Sequence, residues 1–224
     1  MPDGTHHKAR LRSPTRCFVQ TSALIPFFVF LRPKYLAMEG WTLFMDRDGV
    51  VNVQIIDGYV LRPEQFTYTP HFLEAMRLIR PRFQRIILVT NQQCVGKGLC
   101  SQEDVDAIHG RLQGQLEVHG TPFDRVYCCP HLAEASCACR KPNIGMFLQA
   151  LRDFPDIDPA RSLMVGDTLS DMQFARNASI HAVHVGAVRH PEFETVMDIA
   201  SSHFDSLYDF ALHLEDILPV LYKS

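Results

Sequence analysis

Trp41–Met45, Arg85–Thr90, Arg125–Cys129, Ser162–Val165 and Ile180–Val185 are short, near-continuous apolar runs, and the stretches between them carry apolar residues at helical spacing. This alternation constrains the fold more than any other feature of the chain. Runs of that length suit strands buried on both faces. Strand–helix–strand repetition then predicts an α/β fold, a doubly wound parallel sheet with helices on both sides. Such sheets bind ligands beyond the carboxyl ends of their strands. Polar residues gather there in this sequence: Asp46 after the first run, Thr90 and Asn91 at the end of the second, Asp167 after the fourth.

The intervening segments read as follows. Val51–Arg62 has two apolar arms around Asp57-Gly58, which predicts a tight hairpin turn. Thr69-Pro70 predicts a helix start, threonine as N-cap and proline at the first helical position, with Phe72, Leu73, Met76 and Ile79 on one face. Ser101 caps a second helix whose stripe is Val105, Ile108, Leu112 and Leu116. A third helix is expected over Asn143–Phe154, a fourth over about 170–178, and a last one that aligns Leu207, Phe210, Leu214 and Ile217.

Of the 224 residues, 46% are hydrophobic and 21% charged, enough to bury a core without disulfide staples. A net charge of -3 provides no electrostatic footprint for nucleic acid, so any phosphate site must be local. The first forty residues differ from the rest. Lys8, Arg10, Arg12 and Arg16 precede the apolar stretch Cys17–Leu31, and Arg32, Pro33 and Lys34 follow it. Fifteen residues containing Pro26 are short for a membrane span. A signal-like segment is one reading. The other, favoured by the charges after the apolar run, is an upstream extension with Met38 as the working start. The expected division is therefore an extension over 1–39 and a single domain over 40–224, a monomer with no nucleic-acid or membrane partner.

Asp46-Arg47-Asp48-Gly49 places two acids at i and i+2 as the chain leaves a buried strand. Alone, such a turn is as consistent with a solvated strand end as with catalysis. Val165-Gly166-Asp167, followed by Asp171, repeats the design at another strand end. Asp171 could simply complement a helix dipole. Asp167, directly after a buried strand, needs a partner, and a divalent cation such as Mg2+ prefers oxygen ligands of this kind.

Taken in order, these segments resemble the haloacid dehalogenase superfamily. Asp46-Arg47-Asp48-Gly49 matches its first motif, Thr90 its second, Lys141 its third, and Gly166-Asp167 with Asp171 its fourth. The resemblance implies a Rossmann-like domain and a phosphatase that uses Mg2+. Asp46 would be the nucleophile, and Asp48 the acid and base. Asp46, the Asp48 backbone carbonyl and Asp167 would hold the metal. Thr90, with Asn91 beside it, and Lys141 would contact phosphate. No segment between motifs is long enough for a large cap domain.

Cys129-Pro130-His131, five residues, then Cys137-Ala138-Cys139 provides four soft ligands within eleven residues. Three thiolates and an imidazole suit a closed, structural Zn2+ shell, and their free thiols fit a reducing, cytoplasmic setting. Cys128 should face away from Cys129 and lie in the strand core. Cys17, Cys94 and Cys100 have no partner pattern.

The metal loop running into Arg140-Lys141-Pro142 resembles one branch of the superfamily, the D-glycero-D-manno-heptose 1,7-bisphosphate phosphatases and the related histidinol-phosphate phosphatases. By position, Arg140 would touch the phosphate or sugar. Thr90-Asn91-Gln92 and Gly96-Lys97-Gly98 lean toward the heptose enzymes, and the short metal loop toward the histidinol enzymes. The expected substrate is thus a small phosphorylated sugar or polyol-like molecule, the heptose bisphosphate first. A zinc-stabilised binding module without catalysis is the competing class, but it leaves Asp46, Asp48 and Asp167 unexplained.

Overall fold

The computed structural model describes residues 38–186 and 192–221. Six strands form one sheet: β1 (Met38–Met45), β2 (Phe83–Asn91), β3 (Arg125–Cys129), β4 (Ser162–Gly166), β5 (His181–Val185) and β6 (Ser202–Phe204). The helices are α1 (Phe72–Ile79), α2 (Gln102–Val118), α3 (Gly145–Asp153), α4 (Leu169–Ala178), α5 (Phe193–Ile199), α6 (Leu207–Leu212) and α7 (Leu214–Leu221). The strand order is β3-β2-β1-β4-β5-β6, and every adjacent pair is parallel. The chain builds outward from β1 to β3, then returns to the other side of β1 with β4. That reversal puts the topological switch point between β1 and β4, the place where such sheets bind ligands.

Side chains alternate across the sheet and generate two cores. Leu43, Met45, Ile86, Leu88, Leu163 and Val165 face one side with residues of α1, α2, α6 and α7. Phe44, Ile87, Val89 and Met164 face the other with residues of α3, α4 and α5. Phe44 meets Phe147 of α3 edge-on, ring centroids 5.4 Å apart. Both faces are therefore covered, as the continuous apolar runs require.

Three expectations are corrected. Residues 51–62 form no hairpin. Asp57 takes a left-handed turn (φ 52) and the Gly58 amide donates to Ile55 O, but the first arm pairs elsewhere. Val53 N donates to Thr67 O and Asn52 bridges to Tyr68, so the nearer arm at 59–62 finds its partner taken. Thr69 does not cap α1. Its hydroxyl donates to Val50 O at 2.7 Å, and the helix starts after His71, whose φ is 59. The last helix is two helices interrupted at His213, although Leu207, Phe210, Leu214 and Ile217 all remain buried.

The remaining stripes fall as the spacing predicts. Ser101 caps α2 through a reciprocal pair with Asp104, and Val105, Ile108, Leu112 and Leu116 are buried. β1 begins at Met38, so the last two residues of the expected 1–39 extension belong to the sheet, and residues 1–37 lie outside the described residues. Cys128 is half-buried while Cys129 is fully buried. No separate cap domain interrupts the described chain, and no described helix is long and apolar enough to cross a membrane.

Candidate active site and metal centre

β1 and β4 deliver Asp46 and Asp167 side by side, and the Asp46 amide donates to Val165 O at 3.0 Å, extending the ladder one residue beyond the strand. Carboxylate oxygens of Asp46, Asp167 and Asp171 lie within 4.8 Å of one another. Gly49 makes this packing possible. Its φ is 86, and a Cβ there would come within 2.0 Å of Asp167 Oδ2.

Lys141 enters from the far side. Its ammonium donates to Asp46 Oδ1 at 2.6 Å and to Val89 O at 2.9 Å, and pairs with Asp171 Oδ1 at 2.6 Å. Asp171 also accepts from the Thr168 amide and hydroxyl, so it orients Lys141 and closes the first turn of α4. Asp167 Oδ1 is buried with no hydrogen-bond partner among the described residues.

These environments shift the charges. Burial, aided by Asp171 and Asp48, raises the Asp46 carboxyl to about 7 despite Lys141. Burial and the neighbouring Asp46 push Asp167 well above the ordinary carboxylate range. Burial opposes the Lys141 charge, but Asp171 and Asp46 outweigh it and raise its pKa. Three acids against one ammonium leave negative charge uncompensated. The orphaned Asp167 oxygen points to the same deficit. A hard divalent cation with oxygen ligands fits both observations.

Asp48 behaves differently. Its side chain turns to Arg47, Asn52 and Gln92 and does not join the carboxylate group. Burial disfavours its charge, yet the Arg47 guanidinium and the Asn52 and Gln92 amides hold the carboxyl below its ordinary value. Only its backbone carbonyl was expected at the metal.

A cavity of about 220 Å3 opens over this group, and Asp46, Asp48, Thr90, Asn91, Arg140 and Lys141 all line it. Thr90, at the end of β2, is buried, and its hydroxyl accepts from Gln92 Nε2. Asn91 exchanges both amide bonds with the backbone of Lys141, at 3.0 and 3.1 Å, so it fixes that lysine as well as facing the cavity. The other wall comes from the loop at 51–62. Tyr59 stands there, its hydroxyl accepting from Gln93 Nε2 and Lys97 Nζ. Sequence spacing did not single out Arg47, Asn52, Gln92, Tyr59 or the Asp171–Lys141 pair. The first three flank motif residues, which was the one available signal.

The second cluster lies behind the Arg140-Lys141 segment. Cys129 Sγ is 3.5 Å from Cys137 Sγ and 3.2 Å from Cys139 Sγ, and His131 Nδ1 is 3.2 Å from Cys139 Sγ. Four metal-type ligands thus share one small volume. A tetrahedral shell with Zn–S bonds of about 2.3 Å has edges slightly longer than these, so the residues fit such an ion with little movement. Gly145 lets α3 close against the loop: its amide donates to Ala138 O, and a Cβ would lie 2.4 Å from that oxygen.

Comparison with known proteins agrees with this geometry. Residues 138–209 match the HAD-hydrolase-like family. A D-glycero-alpha-D-manno-heptose-1,7-bisphosphate 7-phosphatase of Mycobacterium bovis is 41% identical over 172 residues, covering 77% of this chain and 90% of the relative. A D-glycero-beta-D-manno-heptose-1,7-bisphosphate 7-phosphatase of Vibrio cholerae is 35% identical, covering 77% and 95%. The crystal structure of a D,D-heptose 1,7-bisphosphate phosphatase from B. bronchiseptica, complexed with magnesium and phosphate, superposes with a TM-score of 0.67 at 30% identity, covering 79% of this chain and 98% of that one. With sheet order, motif positions and relatives in agreement, the chain belongs to the haloacid dehalogenase-like hydrolases, in the family of the heptose-1,7-bisphosphate 7-phosphatases.

Proposed function

We propose that this chain is a Mg2+-dependent phosphatase that removes the 7-phosphate of D-glycero-D-manno-heptose 1,7-bisphosphate, acting as a cytoplasmic monomer. One observation carries the reading: Asp46, gripped by Lys141 at 2.6 Å, stands at the floor of an open cavity beside an Asp167 oxygen that lacks a partner among the described residues. The names of the relatives supply the substrate. They divide between the alpha and beta anomers, so both belong in any assay. The unpaired thiols of the second cluster suit a reducing compartment.

In the first half-reaction an Asp46 carboxylate oxygen attacks phosphorus while the bond to the ester oxygen breaks. Asp48, which must first take up a proton because its neighbours hold it ionised, passes that proton to the departing alkoxide, and an aspartyl-phosphate forms. In the second half, Asp48 takes a proton from water, the water oxygen bonds to phosphorus, and the Asp46–phosphorus bond breaks. Lys141 holds Asp46 in place and faces the phosphoryl oxygens, and Thr90, Asn91 and Arg140 line the cavity around them. Mg2+, held by Asp46, Asp167 and the Asp48 carbonyl, would offset the repulsion between carboxylate and phosphate dianion. Zn2+ in Cys129, His131, Cys137 and Cys139 would fix the loop that presents Arg140 and Lys141.

Asp46→Asn is nearly isosteric and removes the nucleophile. It should abolish Mg2+-dependent phosphate release from the heptose bisphosphate while leaving the unfolding transition intact. Turnover surviving at the wild-type rate in a folded Asp46→Asn protein would refute the assignment. Histidinol phosphate, run beside the heptose bisphosphate, should be the poorer substrate by kcat/KM.

A further inference from the structure

Arg47 lies between the nucleophile and the acid in sequence, yet its side chain is fully buried and does not line the cavity. A turn at a strand end needs no arginine there, and a buried guanidinium is costly unless its partners are good. Here the partners converge on one group. Arg47 Nη2 donates to Asp48 Oδ1 at 3.0 Å and to Oδ2 at 2.9 Å, so a single nitrogen straddles both oxygens. Asn52 Nδ2 adds a bond to Oδ1 at 2.9 Å, and Gln92 Nε2 adds one to Oδ2 at 2.7 Å. The guanidinium is itself tied down, by Gln92 Oε1 at 3.0 Å and by His109 of α2 at 3.3 Å. Asp48 keeps one partly exposed edge, its side chain 26% accessible, toward the cavity.

We infer that Arg47, backed by His109, is a positioning residue that fixes the carboxylate plane of Asp48 for proton transfer to and from the reacting oxygens. This rests on the phosphatase reading above. Proton transfer requires the acid within hydrogen-bond reach of the leaving oxygen. A carboxylate on an unsupported turn samples several rotamers, whereas three donors, two from its own turn and one from beyond β2, leave it one orientation. Arg47 touches no substrate, so its effect passes wholly through Asp48.

The leaving group separates this role from a structural one. The heptose 7-phosphate departs as an alkoxide and needs the proton. p-Nitrophenyl phosphate departs as a stabilised phenolate and needs it little. For Arg47→Met with Mg2+ present, kcat/KM, which reports only the formation of the aspartyl-phosphate, should fall roughly 10²-fold on the heptose bisphosphate and only a few-fold on p-nitrophenyl phosphate. His109→Leu should move the ratio of the two rates in the same direction by about ten-fold, and His109→Gln, which restores an acceptor for Arg47, should recover it. Equal losses on both substrates in folded Arg47→Met, or an unmoved ratio, would overturn the inference. If Arg47→Met does not fold, the His109 pair decides by the same ratio. A wild-type chain inert toward both substrates would bring down the phosphatase reading and this inference together. An active wild type with unmoved ratios would bring down this inference alone.

Discussion

His109 shows how a single residue far from the chemistry enters the energetics of the site. Burial, and the Arg47 cation beside it, lower its pKa from 6.5 to about 4. The native protein thus resists protonating a group that the unfolded chain protonates readily. Stability from this source is complete above pH 6.5 and is lost as pH falls toward 4, amounting to up to about 3 kcal/mol. Urea unfolding at pH 7 and pH 4.5 should show a smaller loss of midpoint in His109→Gln than in wild type. Equal losses would mean that His109 does not titrate as its surroundings demand. Asp167 makes the opposite case, a carboxylate with a buried oxygen that no described residue partners. Its raised pKa marks a native-state cost that the proposed Mg2+ would relieve.

At the scale of the element, the loop at 129–145 with the cysteine–histidine cluster is held from both ends. Cys129 closes β3, Gly145 opens α3, and Asn143 Nδ2 donates to Cys137 O across the turn. Removing Zn2+ with a chelator should release about one equivalent per chain, lower Tm, and weaken kcat through the freed Arg140 and Lys141. Zinc-free protein with unchanged Tm and turnover would deny the loop that role. The same elements show what was legible beforehand. β1, β2 and β4 each carry a short apolar run with a polar residue at its end or just past it, Asp46, Thr90 and Asp167, so their burial and their functional ends were both readable. β6 is Ser202, His203 and Phe204, too short and too polar to announce itself, and it exists because β5 offers an edge. The Asp57-Gly58 turn was real, but its arms could not reveal that Val53 pairs with Thr67. Thr69 can cap or donate, and only the nearness of Val50 O decides. Likewise the acids of the site were visible as motifs, while the support of Asp48 joins Arg47 and Asn52 of its own turn to Gln92 and His109 from distant segments, a combination with no single linear pattern.

On the scale of the whole molecule, the proposed cation at the β1–β4 seam would couple ligand binding to folding. A ligand that binds only the native state at about 100 times its Kd adds about 2.7 kcal/mol, and for a domain of this size each kcal/mol moves Tm by roughly 2–4 °C. Mg2+ at that level should raise the wild-type Tm by several degrees and leave Asp167→Asn nearly unmoved. A like shift in both would place the ion elsewhere. The strand order has one more outcome. β4, which pairs with β1, follows β2 and β3 of the opposite flank along the chain, and Asp167 follows β4. A polypeptide emerging from the ribosome therefore exposes Asp46 more than a hundred residues before Asp167 arrives to meet it. Synthesis must run past the fourth strand before any turnover begins, so nascent and truncated products should be chemically inert.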